Sequence, residues 1–151
     1  MGIQLLAADS SREYGFYGKV TEKQIKDAIE YWKTIAERDV VTMLGLFKLK
    51  RYPESLFFGH IVLEKILKAR VVQTIQEQPP YTHDLVRLAN LAQTNSNKNE
   101  IEFLKIVNDF NIRTRYPEEK LRIYKKYGEK NTKEVLDKIL IIYKRLCQKK
   151  K

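Results

Sequence analysis

From Thr21 onward, apolar residues recur three and four positions apart: Ile25, Ile29, Trp32, Ala36, Val40, Met43 and Phe47. That spacing places them on one face of a helix and predicts a long amphipathic helix over about 22–50. Thr21 with Gln24 three residues later has capping-box form. The next segment opens with Pro53, which suits a first helical turn because its missing N–H would have no intrahelical acceptor there. Leu56-Phe57-Phe58, Ile61-Val62-Leu63 and Ile66-Leu67 then make it apolar on nearly every side. It is predicted to run to about Gln78, to be stopped by Pro79-Pro80, and to form the centre of the core.

Thr82 is the expected cap of a short helix carrying Leu85, Leu88, Ala89 and Ala92, followed by a polar loop from Thr94 to Asn99. Asn99 with Glu102 predicts the start of a fourth helix, through Ile101, Leu104, Ile106, Val107 and Phe110, ending before Pro117. A connector rich in lysine and tyrosine has room for one short helix. Asn131 with Glu134 opens the last, striped by Val135, Ile139, Ile142 and Leu146. No strand pattern or internal repeat emerges. The expected fold is all-α, an up-and-down four-helix bundle with one additional short helix, spanning 21–151 behind an irregular N-terminal arm at 1–20.

Composition changes the picture mainly through charge. The 151 residues include 29 Lys and Arg against 19 Asp and Glu, a formal charge of +10, with a pI of about 9.6. Such an excess draws polyanions, although the cations Lys144, Arg145 and Lys149 to Lys151 have the alternative reading of a solvated helix end. Cys147 is the sole cysteine, so neither an intramolecular disulfide nor a multi-cysteine metal site can form, and a reducing compartment fits. With no apolar run long enough to span a bilayer, the expectation is a soluble, cytoplasmic protein.

Between Tyr52 and Leu88 stand Glu64-Lys65, Lys68-Ala69 and Pro79-Pro80-Tyr81-Thr82-His83-Asp84-Leu85. Trp32, Ala36 and Asp39 precede them, and Arg113-Thr114-Arg115-Tyr116-Pro117 follows. This ordered set resembles the HEPN domain over about residues 25–147. The resemblance implies a helical bundle that handles a nucleotide or RNA. It further implies a minimal nucleotidyltransferase as partner in a toxin–antitoxin-like pair, and a homodimer formed near the arginine motif. Phe16, Tyr17, Tyr52 and Tyr116 are candidate aromatics for such a self-complementary patch.

Many members of that family are metal-independent ribonucleases marked by an arginine and, four to six residues later, a histidine. Here no histidine follows His83. Loss of acid–base assistance typically costs ~10²- to 10⁴-fold in rate, which weighs against catalysis. Lys120, four residues beyond Arg115 by intervening count, is a poor base with an ordinary pKa near ~10.4 and is expected at most to contact phosphate.

The resemblance and the charge pattern together nominate Arg113, Arg115, Tyr116 and Lys120 for nucleotide or RNA binding, with Glu64, Lys68 and His83 in support. Arg113 has a second reading, an i,i+4 ion pair with Asp109. His60, Glu64 and Lys68 form an i, i+4, i+8 stripe read as structural, with Glu64 bonded to Lys68 or to a neighbouring helix, and too sparse for a metal site. If Glu64 is buried it needs a counter-ion, such as an arginine of the fourth helix. His83, beside the cap, is read as structural. Tyr124, Lys125, Lys126 and Tyr127 interleave rings with cations, a pattern open to stacking or to a half-buried turn. No cofactor and no catalytic residue is assigned. A binding module, a degenerate ribonuclease and a dimeric scaffold are the three functions carried forward.

Overall fold

The computed structural model describes residues 20–148. Phe16, Tyr17, nearly all of the expected arm, and Lys149 to Lys151 lie outside the described residues. Among those described there are six helices and no strand: α1 Glu22–Lys48, α2 Tyr52–Ile75, α3 Leu85–Leu91, α4 Lys98–Arg113, α5 Pro117–Lys126 and α6 Glu129–Cys147. The all-α bundle matches the sequence pattern, and the connector region holds a ten-residue helix, α5, beside the short α3.

Local chemistry sets the ends. Thr21 and Gln24 form the capping box, each side chain bonded to the other's backbone N–H. Pro53 lies in the first turn of α2, and Pro117 opens α5 for the same reason. Three caps differ from expectation. Asp84, not Thr82, caps α3 by accepting from the N–H groups of Val86 and Arg87, while the Thr82 hydroxyl accepts from Asp84 N–H one step earlier. Asn97, not Asn99, caps α4 through Glu100 N–H. The last helix starts earlier, at Glu129 behind Gly128, and Asn131 sits in its first turn donating to the Lys126 carbonyl. Each of these helices begins at the first polar residue able to reach its own N2 or N3 amide, or, for α6, at a bare glycine. Likewise α2 ends at Ile75 before reaching Pro79, because Gln76 turns left-handed at φ 57° and closes on the Val72 carbonyl.

Helix α2 is the hub, packed against α1, α3, α4, α5 and α6. Leu56, Val62, Leu63, Ile66, Leu67, Val71 and Val72 are buried on all its sides, each such side chain contributing about 1.5–3 kcal/mol by leaving water. From α1 the buried positions are Ile25, Ala28, Trp32, Ala36 and Met43, and from α6 Leu136, Ile139, Ile142 and Leu146. Ile29, Val40, Phe47 and Val135, also on the predicted stripes, are half-buried at the margins. At Gly59 the α2 backbone comes so near α6 that an added Cβ would stand 2.6 Å from Ile139 Cδ1, with Met43 and Leu136 close behind. No helix among the described residues is long and apolar enough to cross a membrane.

A large side chain at Gly59 must therefore push α6 away from the hub. Gly59→Leu is expected to destabilise the protein by about 1–3 kcal/mol despite the better helix propensity of leucine, measured by urea unfolding.

Candidate functional site

Helix α5 is short and amphipathic, with Ile123 as its buried contact. It lies over α2 and α4 as a ridge with a groove on each flank. The first groove, about 220 Å³, runs between α4 and α5, with Ile106, Phe110 and Ile123 as apolar lining and Arg113, Arg122 and Lys126 as cations. Tyr127 closes it, edge-on to Phe110 with centroids 5.3 Å apart. The second groove, about 350 Å³, lies between α5 and the start of α2, where Lys50, Arg51 and Lys120 surround Pro53, Leu121 and Tyr124.

The four nominated binding residues thus share one end of the molecule but not one pocket. Arg113 lines the first groove and Lys120 the second. Arg113 Nη2 stands 3.7 Å from Asp109 Oδ2, an exposed pair of small energetic weight. Arg115 donates to the Asn111 amide oxygen at 3.2 Å, a neutral partner that leaves the guanidinium charge uncancelled. Tyr116 is the N-cap residue of α5 with its ring largely exposed. Lys120 reaches Glu54 of α2 at 3.2 Å, and Arg51 shares that carboxylate. Arg122, not among the nominated residues, stands one turn from Lys126 on the groove side of α5. A helical period applied to 117–126 would have found it.

The supporting trio, in contrast, converges. Glu64, buried in mid-α2, accepts from Lys68 Nζ at 2.9 Å and from His83 Nδ1 at 2.9 Å. The counter-ion is therefore Lys68 of its own helix, as the stripe led one to expect, with His83 of the connection into α3 as a second hydrogen-bond donor, and not an arginine of the fourth helix. Lysine prevails because the i+4 position on α2 is already within reach, so no side chain from another helix has to be ordered. His60, fully buried one turn earlier, donates Nε2–H to the His83 carbonyl at 2.9 Å. Its Nδ1 then faces Glu64 Oε2 at 3.8 Å as a bare lone pair. Lys65 and Lys68 each place Nζ 5.2 Å from the centre of the Trp32 ring, a cation–π contact that helps carry Lys68 into a buried setting and Lys65 into a half-buried one.

Burial alone would push the Glu64 carboxyl up, but Lys68, Lys65 and the His83 bond together hold it below the usual carboxylate range. Burial lowers His60 more than the nearby carboxylate raises it. Lys65 is lowered by burial, and Asp39 on α1 is raised by it, against the opposing pull of Lys65 and Arg38. Among the described residues no group of three or more His, Cys, Asp or Glu side chains is arranged to hold a metal ion.

A family model described as HEPN domain matches residues 29–151. Among solved structures, the chain is similar to the crystal structure of TT1696 from Thermus thermophilus, at 19% identity and a TM-score of 0.66 over 78% of this chain and 94% of that one. At that identity the likeness concerns the fold. No curated protein matches the chain.

Removing one member of a buried pair strands the other. Lys68→Met is expected to cost about 3–5 kcal/mol in chemical denaturation, and adding Glu64→Met to recover most of that loss. For His60 the folded value lies below the unfolded one near ~6.5, so the unfolded chain binds the proton first. Stability should hold above pH ~6.5, fall as pH drops below it, and level off once the depressed folded value is passed. Melting temperatures from pH 8 to 5 should show this decline, and His60→Gln should flatten it. Glu64, depressed in the opposite chemistry, keeps its contribution across that window and loses it only below the ordinary carboxylate range.

Proposed function

The chain belongs to the HEPN domain family, and from that premise we propose that it is a nucleotide- or RNA-binding module. In this reading it partners a minimal nucleotidyltransferase in a two-component, toxin–antitoxin-like unit. The observation that carries the binding half is the surface around α5. From Arg113 to Lys126 the chain has six cations, Arg113, Arg115, Lys120, Arg122, Lys125 and Lys126, against Glu118 and Glu119. Arg113, Arg122 and Lys126 line the groove that Tyr127 closes, and Lys120 lines the one whose wall includes Tyr124. Guanidinium and ammonium groups beside aromatic rings suit phosphate contact with base stacking.

The partner half rests on the family resemblance, with the nucleotidyltransferase doing the chemistry and one of the nine tyrosines a candidate acceptor of a nucleotidyl group. Homodimerisation is supported by exposed Ile112, Tyr116, Leu121 and Tyr124 at the same end of the bundle. A reducing cytoplasm suits a chain with one cysteine. The scaffold reading, with no ligand, is the alternative that the same experiment decides.

Calorimetric titration with ATP and with a short RNA should give measurable heat for at least one of them. Arg113→Ala/Arg115→Ala, matched for fold by circular dichroism, should weaken that binding about tenfold or more, as loss of charge-assisted contacts does. Arg122→Ala/Lys126→Ala should weaken it comparably. Affinity for RNA should fall steeply with added salt. Silence from both ligands would leave the dimeric scaffold.

A further inference from the structure

The two flanks of α5 differ in what they leave exposed. In the groove against α4, Phe110 and Ile123 are buried, and Ile106 is the open aliphatic side chain. In the groove against the start of α2, Leu121 and Tyr124 are both more than half exposed, and Pro117 of the same wall is exposed as well. The turn that supplies Lys50 and Arg51 to this groove is the end of α1, where a further apolar row stands in solvent. Val41 and Leu49 are 70% and 72% exposed, and Leu44 is exposed between them. Their spacing puts all three on one side of the helix, and Gly45 among them has open space where a Cβ would stand. From Val41 to Leu49 the row is ~12 Å long at ~1.5 Å per residue. Apolar side chains grouped in this way, rather than scattered singly, are what a protein partner covers.

Charge narrows the partner. Lys50, left-handed at φ 61°, lines the groove with no ion pair among the described residues. Arg51 and Lys120 share the one carboxylate of Glu54. Three cations thus stand against one acid, and the groove keeps a positive excess. A second copy of this chain paired over the groove would set the same cations against one another. RNA offers phosphates to the cations and nothing aliphatic to Val41, Leu44 and Leu121. A lipid surface is flat, whereas the groove is concave, with about 350 Å³ of space.

The geometry points to this groove, continued along the end of α1, as the docking site of an acidic amphipathic helix from another protein. One large apolar side chain of that helix enters between Pro53, Leu121 and Tyr124, and its carboxylates face Lys50, Arg51 and Lys120. The assignment goes beyond the binding reading above and does not depend on it. Phosphate contact stays with Arg113, Arg122 and Lys126 of the other groove.

The probe is a display library of random peptides about four helical turns long, panned on the full chain and counter-selected on Lys50→Glu/Leu121→Asp. Both positions are exposed, so the variant should match wild type in circular dichroism and melting temperature. Selected peptides should carry Leu, Ile or Phe at spacings of three and four, with Asp or Glu between them. They should bind wild type about tenfold or more tighter than the variant, and less tightly as salt is added. Val41→Asp/Leu44→Asp should weaken the same peptides, while the affinity of Lys50→Glu/Leu121→Asp for a short RNA stays within about threefold of wild type. Selected peptides without an acidic bias, or acidic ones that bind the variant equally well, would overturn the assignment. An RNA affinity that falls as far as the peptide affinity would overturn it too, making the groove part of a nucleic-acid surface. So would wild type, but not the variant, sedimenting with phosphatidylserine-containing vesicles while no peptide is enriched, which would make it a lipid-facing surface. A dimer in wild type that the variant loses, with no peptide enriched, would assign the groove to a second copy instead.

Discussion

A carboxylate in the middle of a helix surrounded by other helices has to meet its counter-charge and its hydrogen-bond donors inside the protein. Glu64 is that carboxylate, and its two bonds govern more of this fold than their number suggests. Leaving a buried charge unmatched costs several kcal/mol, a large part of the total stability of a domain this size. The bond to Lys68 is internal to α2. The bond to His83 ties the far end of the α2–α3 connection back to the middle of α2, and His60 adds a second tie from the same face. Once His83 is held there, Asp84 is delivered to the start of α3 and to Asn108 of α4. A short helix that could not stand alone is thereby docked between two long ones.

Packing supplies the complementary constraint. Because α2 is apolar all round, each neighbouring helix buries one stripe against it, and the polar faces are left outward. At Gly59 the absence of a side chain lets α6 close in, with Ile139 filling the space. The energy of the fold is concentrated on one rod, and charged side chains are left to the outward faces and to the polar stripe that penetrates it.

Helix α5 gives the surface its character. It offers the bundle mainly Ile123 and otherwise raises cations and rings between two grooves. Several of these charges are engaged at rest: Arg113 with Asp109, Arg122 with Glu119, Lys120 with Glu54. Exposed pairs of this kind are worth little, so a phosphate can take the cation over at small expense.

The helices themselves were legible from apolar spacing, since a stripe such as Ile25, Trp32, Ala36 and Met43 follows directly from 3.6 residues per turn. So was the capping box at Thr21, whose partners are three residues apart. The cap residues of α3, α4 and α6 were displaced by two or three positions, because several polar residues competed and only the final backbone path chose among them. The ordered residues from Trp32 to Pro117 carried the resemblance to the family. What the chain alone left open was which of these residues meet. Arg113 and Lys120, close in sequence, line different grooves, because the chain turns at 114–116 between α4 and α5. Glu64 and His83, nineteen residues apart, touch at 2.9 Å. Sequence determines periodicity and local bonding, which act within a few residues, whereas the meeting of distant side chains depends on how whole helices pack, and packing is decided by all of their buried faces at once.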